Sequence, residues 1–174
     1  MSNQSCGGDL QSNSPEFCRS LRALKGVDFE LAYLAALTRE GLKPLSRWEK
    51  SLTDHVLELL QQTGLITRQV RRTVKTGKEI IETIFSRTPA YIQLYEQVFG
   101  NTAIDKSAPT QRFEGFLFGY PPCCINTYIR KPYAPNNLTD IDQKILFHWA
   151  CRDCKVTPSL LPAYKNIYDL LDNC

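Results

Sequence analysis

The chain has 174 residues, 43% of them hydrophobic and 22% charged, with a formal net charge of +3 and a pI near 8.5. That length can bury a core without disulfides, and the composition excludes a fibrous or wholly disordered chain. The charge is too mild to point to nucleic acid by itself, and no apolar run approaches the roughly 20 residues of a membrane-spanning helix. The opening Met1 to Gly8 lacks the charged and apolar regions of a signal peptide, so the expectation is a cytoplasmic protein with no membrane partner. Stable disulfides are rare in such a compartment, and an odd set of 7 cysteines cannot pair completely. Cysteines grouped together there read as metal or redox groups.

Met1 to Pro15 is polar and reads as a disordered tail. A helical region with one hairpin follows over residues 16–100. Phe17, Leu21 and Leu24 repeat at helical spacing before Gly26, and Asp28 caps a second apolar helix that runs to Arg39. After Pro44 a third helix is expected from Ser46 to Thr63, with Leu52, Val56, Leu59 and Leu60 on one face. His55 within it reads as an ordinary surface residue.

The period then changes. β-Branched residues on both sides of Lys75-Thr76-Gly77-Lys78 predict a β-hairpin. Helix, helix and hairpin is the element order at the end of a winged-helix module. Arg68, Arg71, Arg72, Lys75 and Lys78 make the hairpin basic, which allows contact with nucleic acid phosphates. The competing reading is an edge hairpin whose charges block edge-to-edge pairing, and Glu79 and Glu82 dilute the patch. Thr88-Pro89 opens another helix up to Gly100, and residues 101–112 read as a connection.

Residues 113–174 form the cysteine-rich helical half. Phe113, Phe116, Leu117, Phe118 and Tyr120 read as core, and Pro121-Pro122 places Cys123 and Cys124 in the first turn of a helix to Ile129. Free N–H groups and the positive end of the helix dipole there favour thiolate over thiol. Thr139 caps a helix in which Ile141, Ile145 and Trp149 form a stripe. His148, Cys151 and Cys154 then follow at intervals suited to a metal-binding knuckle. A last helix covers Ala163 to Leu171.

Gly119-Tyr120-Pro121-Pro122-Cys123-Cys124 with His148-x-x-Cys151-x-x-Cys154 resembles a small prokaryotic protein family marked by a Gly-Tyr-Pro-x-Cys-Cys signature and a downstream His/Cys motif. The resemblance covers about the last third of the chain and implies that the two motifs belong together. It supplies no activity.

The fold expected is therefore α+β and mainly helical. The function expected is metal binding by Cys123, Cys124, His148, Cys151 and Cys154, as zinc or an iron–sulfur cluster. Two alternatives stand beside it: a winged-helix-like nucleic-acid-binding protein with a structural metal, and a thiol-redox enzyme. No phosphate loop, nucleophile elbow or His-Glu-x-x-His motif supports a common catalytic class.

Overall fold

A computed structural model describes residues 15–173. The expected tail lies outside the described residues except for Pro15, which opens the first helix. Among the described residues the chain is α+β and mainly helical, with eight helices and one three-stranded antiparallel sheet. No helix there is long and apolar enough to cross a membrane.

Helix α1 (Pro15–Val27) buries Phe17, Leu21 and Leu24. In α2 (Phe29–Arg39) every residue from Leu31 to Thr38 is buried, because the helix has neighbours on all sides and is apolar almost all round. The Asp28 carboxylate caps it by accepting from the Leu31 amide at 3.1 Å.

The expected helix from Ser46 needs correction. Ser46–Trp48 is a strand, β1, and only Asp54–Gln62 is helical, α3. Tertiary pairing overrides the local pattern, since β1 lies antiparallel to Thr83–Phe85 and the Ser46 hydroxyl is buried 2.7 Å from that of Thr38. The apolar face was read correctly at Val56, Leu59 and Leu60, all buried.

The hairpin forms as expected from β2 (Ile66–Thr73) and β3 (Glu79–Ser86), turning through Gly77. Sheet order is β1-β3-β2. Helix α4 (Pro89–Phe99) then packs on β2 and β3. The connecting segment stays against the sheet: the Asn101 amide donates to Arg71, and Thr73 exchanges backbone hydrogen bonds with Thr102 and Ile104.

Four further helices follow: α5 (Ala108–Leu117), α6 (Pro122–Arg130), α7 (Asp140–Lys144) and α8 (Thr157–Asn173). One apolar core joins α1, α2 and α3 to Ile145, Leu146, Tyr164 and Leu171. The other joins the sheet and α4 to Leu117 and Phe118. Both cores thus take residues from either side of the 101–112 connection. Phe116 departs from the expected aromatic core, being 60% exposed.

The stripe expected through Ile141, Ile145 and Trp149 is also corrected. Helix α7 stops at Lys144, and Ile141 is 75% exposed. The Gln143 side chain explains the early stop: its Nε2 donates to the His148 carbonyl at 2.9 Å and its Oε1 accepts from the Ala150 amide at 3.2 Å. These bonds replace the helical ladder and turn the chain towards α6. The last helix begins earlier than Ala163, at Thr157, because Pro158 suits a first turn that needs no N–H partner.

Candidate metal centre

The Gly119 turn brings the first cysteine pair into place. Its φ is +73°, and a Cβ there would lie 2.7 Å from Pro44 Cδ, so both the backbone angle and the close approach of the Lys43-Pro44 segment call for glycine. Pro121 and Pro122 then start α6, with Cys123 and Cys124 in its first turn. Against α6, Gly115 leaves no room for a side chain: a Cβ would meet Ile125 Cδ1 at 2.5 Å. Helices α5 and α6 therefore pack closely and hold the pair rigidly.

The second pair comes from the turn between α7 and α8. The Cys154 amide donates to the Cys151 carbonyl at 3.2 Å, which closes the turn and points both side chains the same way. Sulfur separations are 3.5 Å for Cys123–Cys154, 3.4 Å for Cys124–Cys154, 3.8 Å for Cys124–Cys151 and 4.0 Å for Cys123–Cys124. All four Sγ atoms lie within 4.8 Å of one another. Even the shortest separation is far beyond the roughly 2.05 Å of a disulfide bond, so these are thiols. Such a group could hold a metal ion.

Backbone N–H groups already serve the sulfurs. The Cys151 amide donates to Cys124 Sγ at 3.3 Å, and the Thr157 amide to Cys154 Sγ at 3.2 Å. Burial raises the Cys154 thiol, but hydrogen bonds with the Thr157 side chain and amide, and with Cys124 and Cys123, outweigh it and bring the group down to about 7. Its neighbours move the opposite way. Burial, then contact with Cys154, pushes Cys123 up to about 11, and burial pushes Cys124 higher still. Four adjacent thiolates would repel one another, and a bound cation removes that conflict. The donor set therefore fits a thiophilic ion.

His148 stands outside this group. Its Nε2 lies 2.9 Å from Thr157 Oγ1, and that oxygen lies 3.2 Å from Cys154 Sγ. Burial and then the Lys43 charge lower the imidazole to about 4, so it is neutral. Its Nδ1 is buried without a hydrogen-bond partner, and its ring lies 5.4 Å from that of Tyr120. Cys124 and His148 both line a cavity of about 610 Å³.

The five hairpin cations are dispersed. Arg72 is buried, with Nη1 3.1 Å from Glu114 and 3.8 Å from Glu82, and its guanidinium lies over the Phe99 ring at 4.9 Å. It faces the interior, where no phosphate could reach it. Arg68 pairs with Glu96 at 3.3 Å and Arg71 with Glu79 at 3.5 Å. Lys75 and Lys78 are exposed near the turn.

Sequence reasoning missed the network around Arg72. Arg47 meets Glu114 at 2.8 Å and Glu82 at 3.9 Å, while the Tyr95 hydroxyl donates to Glu82 at 2.8 Å. These residues come from β1, β2, β3, α4 and α5, so no local pattern announces them. Thr157 had a signal, since a threonine before proline commonly marks a helix start. No family model, curated protein or solved structure matches this chain.

Proposed function

We propose that Cys123, Cys124, Cys151 and Cys154 hold one zinc ion that joins the start of α6 to the turn before α8. The observation that carries this reading is the mutual approach of all four sulfurs to within 4.8 Å. Tetrahedral zinc with Zn–S of about 2.3 Å puts neighbouring sulfurs about 3.8 Å apart, close to the four separations between 3.4 and 4.0 Å. An iron–sulfur cluster spreads its cysteines over several iron atoms and needs them farther apart.

Four thiolates complete the coordination of zinc and leave no open position, which supports a structural role. His148 and Thr157 are then the outer support of the ligands. Purification without added metal, followed by elemental analysis and a visible spectrum, tests the proposal. One zinc per chain in a colourless protein is expected. Stoichiometric iron with inorganic sulfide, or a metal-free protein with four titratable thiols, would rule it out.

A further inference from the structure

The Lys43 side chain is as buried as the apolar core, 2% exposed, yet no carboxylate among the described residues lies within 4.0 Å of its Nζ. Its hydrogen bond goes to the Phe118 carbonyl at 2.9 Å. Three aromatic rings surround the nitrogen: Tyr120 at 4.5 Å, Phe147 at 5.4 Å and Phe118 at 5.8 Å from their centroids. Lys43 also lines a cavity of about 330 Å³ whose other walls include Leu34, Trp48 and Phe147. That volume holds a small organic molecule.

We propose that Lys43 is a nucleophilic amine in a small-molecule site, condensing with the carbonyl group of an aldehyde or ketone that has a flat, apolar body. Trp48, Phe118, Tyr120 and Phe147 supply flat walls for such a body. The amine lone pair attacks the carbonyl carbon, a C–N bond forms, and the C=O π pair moves to oxygen. That oxygen takes up two protons in all, the nitrogen gives up two, and water leaves as the C=N bond forms. No electron is gained or lost.

The environment favours the reactive neutral form. Burial without a counter-ion lowers the group to about 7. The charged groups facing this region are Glu30 of α2, Arg47 of β1, Glu49 and Lys50 beyond it, and His148 is the neutral imidazole. Glu49 and Glu114 are already paired with Arg47, so neither serves as a counter-ion to Lys43. The alternative role for Lys43 is a permanently charged brace, held by cation–π contact and the Phe118 carbonyl. The two roles predict opposite reactivity.

The full-length protein, purified as it comes, is treated at pH 7 with 2-naphthaldehyde and sodium cyanoborohydride, which reduces any imine to a stable amine. Peptide mapping by mass spectrometry then locates the adduct. At pH 7 an amine of this kind has on the order of a thousandfold more neutral form than an ordinary lysine. Allowing for restricted access, modification of Lys43 should exceed that of the exposed Lys75 and Lys78 by at least about tenfold. The excess should shrink as pH rises towards 10, and the Lys43→Arg variant should lose the selective adduct. Labelling of the surface lysines with Lys43 untouched would overturn the proposal, and this outcome requires no variant to fold. The zinc site enters neither result.

Discussion

The imidazole of His148 and the hydroxyl of Thr157 share a buried 2.9 Å hydrogen bond, and through it His148 stops one residue short of the sulfurs. Thr157 Oγ1 lies 3.2 Å from Cys154 Sγ and 3.7 Å from Cys124 Sγ, so a single hydroxyl touches two of the four sulfurs. A helix start, a buried imidazole and the thiols are thereby locked in one arrangement.

Thr157→Val removes that hydroxyl and keeps the side-chain volume. Groups that support metal ligands from behind typically contribute 10–100-fold in affinity, so zinc binding measured by chelator competition should weaken by about tenfold. Thr157→Ser should recover most of the loss. Equal affinity in the valine variant would show that the hydroxyl only fills space.

Removing the ion should loosen a defined part of the chain. With zinc held as proposed, Cys151→Ser or Cys154→Ser would leave three thiolates without a complete coordination sphere, and metal-linked folding free energy would be lost. Hydrogen exchange should then rise together from Phe118 to Thr157, where Gln143 and the Cys151–Cys154 turn order the backbone. Amides of α2 should keep their protection, because that helix is buried within an apolar core. Cys18→Ser, on α1, should leave zinc content unchanged. Wild-type exchange and wild-type zinc in the Cys151 variant would contradict a structural centre.

What the sequence disclosed divides by the range of the forces involved. The helices of Phe17 to Leu24 and Val56 to Leu60 and the hairpin at Gly77 were legible because apolar period and turn chemistry are local. So were the four cysteines, whose pairing needs only two short motifs. Ser46–Trp48 was read as helix because its strand partner, Thr83–Phe85, lies far along the chain. Ile141, Ile145 and Trp149 read as one helical stripe because nothing local shows Gln143 ending α7. His148 has the spacing of a ligand, and only the fold reveals that Thr157 stands between it and the sulfurs.

Arg72 illustrates the same limit and yields a stability test. Its guanidinium is 1% exposed and faces Glu82 and Glu114, so Arg72→Ala leaves the buried Glu82 and the half-buried Glu114 to share Arg47. Breaking a buried ion pair from one side costs about 3–5 kcal/mol, and urea unfolding should show a loss of that order. Arg71→Ala, in an exposed pair with Glu79, should change stability by less than about 1 kcal/mol. Similar small losses for both would mean that water reaches the Arg72 cluster.

Lys43 should impose a pH dependence on stability with a definite sign. Its folded value is lowered to about 7 by burial, against about 10.4 for an unfolded lysine. Between these limits the unfolded chain binds the extra proton, so stability rises with pH across roughly 7 to 10. Below pH 7 both states are protonated, and the unfavourable contribution is at its full size and constant. Lys43→Met keeps an unbranched apolar stem in the same aromatic setting and removes the titration. The variant should therefore gain most over the wild type at pH 7 and below, and the gain should disappear as pH approaches 10. Other groups titrate in both proteins, so the difference between their urea unfolding free energies isolates Lys43. A difference that stays flat from pH 6 to pH 10 would mean that Lys43 keeps an ordinary lysine titration in the folded protein, with cation–π contact offsetting its burial.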